Sequence, residues 1–166
     1  MTLLVAAIAA TVAAIVELTI TPYLRVGDAQ PHLVFVLAVV WTVAVGIDSG
    51  LVWAFVGGLV LDTLAPRPLG STAFALLIVV GATGALTRSL ARIRPVVAII
   101  ATLLLSLVYS MTLITLFSVL RPPSTLPDPL RLVAPGVFYD VIVAIVLGPL
   151  AVSLRDRFVD EERAPR

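Results

Sequence analysis

Apolar residues run almost without interruption along this 166-residue chain, in about six stretches parted by short polar breaks. About 20 apolar residues cross a bilayer core of about 30 Å as one helix. The pattern predicts a first helix over about Thr2–Ile20, stopped by Thr21-Pro22. Pro31 opens the next segment, as proline does at a first helical position. The run from His32 to Leu64 is too long for one comfortable span and short for two. In its middle, Gly46-Ile47-Asp48-Ser49-Gly50 carries turn chemistry, so a tight hairpin of two short helices is expected. Further helices are predicted over about Gly70–Thr87, Pro95–Leu120 and Pro135–Leu154. The expected class is all-α: a polytopic membrane bundle with six transmembrane helices over residues 1–154 and a short tail over 155–166.

Composition agrees and narrows the function. Hydrophobic residues make up 60% of the chain and charged residues 13%, where soluble domains carry about 25% charged. The longest polar segments, Leu120 to Ala134 and Leu154 to Arg166, are too short to hold a core of their own. A net charge of +1 carries no nucleic-acid signal. Cysteine is absent, which excludes disulfides, thiolate metal sites and a cysteine nucleophile. The single histidine, His32, follows Pro31 at a helix start and has no second histidine with which to share a metal. It reads as a loop or interface residue, and no metal or cofactor is expected. The first arginine is Arg25, after the first apolar run, so an uncleaved first helix fits better than a signal peptide.

Arginine placement orients the bundle. Arg88, Arg92 and Arg94 fall in the connection between the fourth and fifth helices, and Arg155, Arg157, Arg163 and Arg166 in the tail. Short loops rich in arginine stay cytoplasmic. With six spans, both termini are expected in the cytoplasm. Glu17, Asp62 and Asp140 then all lie in the outer third of the membrane: Glu17 and Asp62 near the ends of outward helices, Asp140 near the start of the last. A carboxylate at the bilayer centre costs about 3 kcal/mol unless it finds partners. These three acids are the first candidates for a functional site.

Gly50, Ala54, Gly58 and Asp62 recur every four residues, with Gly57 beside them, which makes one helix face of small residues ending in an acid. Close backbone approach through small residues drives helix association in membranes. The face therefore offers a groove to a helix of the same bundle or of a partner. Ala6, Ala10 and Ala14 repeat the theme weakly on the first helix. Ser106, Tyr109, Ser110, Thr112 and Thr115 on the fifth helix either reach the acids, line a polar cavity or bond backbone carbonyls one turn back. Arg67 is near enough in sequence to fold back onto Asp62. The proline-rich segment from Arg121 to Pro129 is expected to be stiff and to cover the outer face.

The order of these features resembles the MreD family of bacterial rod shape-determining proteins. The resemblance is carried by Glu17-Leu18-Thr19, Pro22, Gly27 and Pro31, then Gly50 and Gly57-Gly58-Leu59-Val60-Leu61-Asp62. Leu69-Gly70, Ala75-Leu76, Pro135, Asp140 and Pro149 continue it over nearly the whole chain. Glutamine near Glu17 and asparagine near Asp140 are usual in the family, so hydrogen bonding rather than charge is what the fold needs there. The resemblance implies six helices arranged like the S components of energy-coupling-factor transporters. It also implies a non-enzymatic scaffold in the cytoplasmic membrane that binds MreC, with MreB, RodA and a class B penicillin-binding protein nearby, and that helps organise peptidoglycan synthesis. Docking of the MreC helix is expected on Gly50, Ala54, Gly57 and Gly58. Glu17, Asp62, Arg67, Tyr109 and Asp140 would form a buried polar network or an outer cavity. The competing readings are a small-molecule-binding transporter component, using that cavity and the Ala6/Ala10/Ala14 face, and a membrane enzyme with paired carboxylates as acid and base. The second lacks any nucleophile motif, metal spacing or phosphate loop.

Overall fold

A computed structural model describes residues 2–23, 31–89, 94–120, 133 and 135–149, and among these every regular element is helical. Helix α1 covers Thr2–Ile20 and passes into a short 3-10 turn, Thr21–Tyr23, where Pro22 interrupts the α pattern. Helices α2 (Leu33–Val45) and α3 (Ile47–Leu64) follow, then α4 (Ser71–Ser89), α5 (Arg94–Leu120) and α6 (Pro135–Pro149). The all-helical membrane bundle expected from the apolar pattern is therefore what the chain forms. Helices α1, α3, α4 and α5 are long and apolar enough to cross a membrane, whereas α2 and α6 are shorter apolar helices. The expected end of the last helix at Leu154, the tail and the loop from Arg121 to Pro129 lie outside the described residues.

The hairpin between α2 and α3 is tighter than its sequence suggested. Asp48, Ser49 and Gly50 are already helical, and the reversal falls on Gly46 alone, at φ 130° and ψ 169°. Only glycine occupies that region at little cost. Ser49 closes the turn by donating to the Gly46 carbonyl (3.3 Å) while accepting from Trp41 Nε1 (3.2 Å). The indoles of Trp41 and Trp53 stack across the hairpin with centroids 5.0 Å apart.

Helix α2 is the interior of the bundle. Val34, Phe35, Val36, Ala38 and Val39 are wholly buried, and the helix touches α1, α3, α4 and α5. An all-round apolar helix is what such a position requires. Exposed apolar side chains sit instead on the outer helices, among them Leu4 (67% exposed) on α1 and Phe138 (73%) on α6.

The small-residue face of α3 is filled from inside. Gly50, Ala54, Gly57 and Gly58 are all buried. A Cβ on Gly58 would run into the Ala73 backbone of α4, and one on Gly50 into Thr42 Oγ1 of α2. One on Gly57 would lie 3.0 Å from Val34 Cγ1 and 3.4 Å from Ala10 Cβ. Ala6, Ala10 and Ala14, each fully buried, lie on α1, which packs against α3. Of the two readings of this face, a helix of the same bundle or of a partner, packing within the bundle is what is seen: these residues let α1, α2 and α4 close around α3. The same burial removes Ala6/Ala10/Ala14 as an outward surface.

Candidate functional site: carboxylates that cap helices in trans

A helix start leaves its first amides without intrahelical acceptors, and inside a membrane protein no water is at hand to satisfy them. Helix α2 begins within the bundle, with His32 at its N-cap position making no side-chain cap of its own. Two acids from other helices supply the acceptors. Glu17 Oε2, in the last turn of α1, accepts the Val34 N–H at 2.7 Å. Asp140 Oδ1, near the start of α6, accepts the His32 N–H at 2.9 Å. Its Oδ2 lies 3.2 Å from His32 Nδ1 and also accepts from Ser106 Oγ of α5.

Asp62 repeats the device at α4. Its carboxylate takes the Thr72 N–H at 3.0 and 3.2 Å and the Ser71 hydroxyl at 3.4 Å, from the first turn of the helix it faces. Negative charge at a helix N-terminus is further favoured by the helix dipole. Each of the three intramembrane acids therefore ends up at the start of a helix other than its own.

All three lie toward one end of the bundle, where α1 and α3 finish and α2, α4 and α6 begin. Tyr109 of α5 sits among them, almost wholly buried, its ring edge-on to His32 (5.4 Å) and stacked on Phe35 (5.0 Å). Arg67 also returns to this cluster, close enough to act on the charges of Glu17 and His32. Its expected contact with Asp62 is corrected. Arg67 instead donates to Thr72 Oγ1 at 3.5 Å, while the Thr72 amide donates to the Asp62 carboxylate. Among the described residues the ion pair within 4.0 Å is His32–Asp140.

The network joins Glu17, Asp62, Arg67, Tyr109 and Asp140 as one neighbourhood, and adds His32, Ser71, Thr72 and Ser106. His32 is the residue that sequence reasoning undervalued. Its position directly after Pro31 at a helix start was the available signal. On α5, Ser106 reaches an acid, while Thr112 and Thr115 bond Val108 and Met111 carbonyls one turn back. Among the described residues no group of three or more His, Cys, Asp or Glu side chains is arranged to hold a metal. What this arrangement does chemically is hold helix ends together.

Two concavities lie away from the acids. A cleft of about 460 Å³ between α4 and α5 is walled by Phe74, Leu107, Met111 and Leu116. A smaller one of about 290 Å³ at the Gly46 end includes Thr42, Ile47, Gly84 and Arg88.

A family model described as rod shape-determining protein MreD matches residues 1–157. No curated protein and no solved structure matches the chain.

Proposed function

The chain belongs to the MreD family of rod shape-determining proteins, and from that premise we propose that it is a non-catalytic membrane scaffold of the cell-elongation machinery whose partner is MreC. The family match over residues 1–157 carries the reading. The network supports it: the acids that a transporter component would offer to a ligand, or an enzyme would use to move protons, are engaged in fastening helices. A rigid bundle with a lipid-facing apolar surface suits a protein that positions others. In this reading the chain crosses the cytoplasmic membrane six times, α2 and α6 being the short crossings. Both ends then face the cytoplasm and the carboxylate-rich end faces outward, the orientation that the arginine distribution favours. MreC binds to a surface other than the buried glycine face of α3, and MreB, RodA and a class B penicillin-binding protein are the further neighbours.

The test is capture of the tagged chain from native membrane with identification of what comes with it. MreC is the expected companion. Recovery of an ATPase with a coupling subunit, and no MreC, would replace the scaffold by the transporter reading. Cysteine labelling that places residues 1 and 166 on opposite sides would overturn the orientation.

A further inference from the structure

His32 is the only histidine in the chain, and it stands where three helices meet. Its backbone and its ring both contact the Asp140 carboxylate, at 2.9 and 3.2 Å. Ser106 of α5 donates to the same Asp140 oxygen that faces the ring, and Tyr109 of α5 closes against the imidazole edge. One residue ahead of α2 thereby ties that helix to α6 and, through Asp140 and Tyr109, to α5. The two partners differ in access. The Asp140 side chain is fully buried, while the His32 side chain is 19% exposed.

We infer that the His32–Asp140 contact is a protonation-dependent clamp. With the imidazole charged, an ion pair fastens the start of α2 to α6; with it neutral, only hydrogen bonds remain and this end of the bundle loosens. The charged groups that face it are Glu17 from α1 and Arg67 from the α3–α4 connection. Tyr109 faces it from α5 and Asp140 from α6. A carboxylate beside an imidazole favours its charged form, and Asp140 Oδ2 stands 3.2 Å from His32 Nδ1. A group whose pKa is raised in the folded state stabilises fully below its unfolded value, and that stability is lost as pH rises through the folded value. The clamp is therefore closed on the acid side and released toward alkaline pH. This goes beyond the scaffold reading and does not depend on it or on membrane orientation.

A chain with one histidine allows a clean measurement. The full chain, labelled with ¹³C-histidine in detergent, gives one titrating ring signal. Its midpoint is expected above the ordinary histidine range and to fall toward that range in Asp140→Asn. A midpoint at or below the ordinary value overturns the clamp, as does one that Asp140→Asn leaves in place. A second readout needs only the wild type and His32→Gln, which keeps the backbone bond. Followed by tryptophan fluorescence, the wild-type melting temperature should drop by about 2–4 °C between about pH 5.5 and pH 8.5. In His32→Gln that drop should be largely lost. An undiminished pH slope in His32→Gln would assign the effect to other groups and sink the inference.

Discussion

At the scale of single residues, what Glu17 supplies is a hydrogen-bond acceptor for the Val34 amide. A glutamine carbonyl accepts that bond as a carboxylate does. Glu17→Gln should therefore change the melting temperature of the purified protein little, whereas Glu17→Ala strands a buried donor at a cost of about 1–3 kcal/mol. Equal losses in the two variants would show that the charge matters after all. This equivalence gives a physical reason for amides at positions where this chain has acids. Gly46 supports a different prediction. A Cβ there meets nothing within 4 Å, so Gly46→Ala tests backbone conformation alone. Denaturation should report a loss of about 1–3 kcal/mol from the strained φ, and a neutral result would mean that the hinge relaxes freely.

At the scale of elements, α3 owes its central place to the glycines that let its neighbours touch its backbone. Gly58→Ala puts a methyl group into the Ala73 backbone and must push α3 from α4, with an expected loss of about 1–3 kcal/mol. Gly81→Ala on α4, where a Cβ meets nothing within 4 Å, should be neutral or stabilising by about 0.5–1 kcal/mol. Thermal unfolding of both variants in one detergent checks the contrast. If both behave alike, close packing at Gly58 is not what sets stability. The small-residue spacing on α3 was plain in the chain, because a period of four is a property of one helix. Which neighbour fills that face was not, since packing partners are set by other helices. The Gly46 hinge was half legible: glycine marked a turn, but Asp48, Ser49 and Gly50 looked like its continuation because each also suits a helix N-terminus.

At the scale of the whole molecule, apolar periodicity alone gave the membrane class, since nothing with 60% hydrophobic residues and so few charges keeps a solvated surface. Counting arginines placed the three acids at one level, and the structure gathers them there. Their partners were hidden, because the donors at Val34 and Thr72 are backbone amides, which every residue except proline carries. His32 stayed obscure for a related reason: one histidine without a second resembles a bystander until the fold brings Asp140 beside it. That bond joins positions 108 apart in the chain. Asp140 emerges from the ribosome long after α2, so the amide ahead of α2 waits through most of translation for its acceptor. A chain cut short before residue 140 would leave the His32 amide without this acceptor and the start of α2 unfastened from α6.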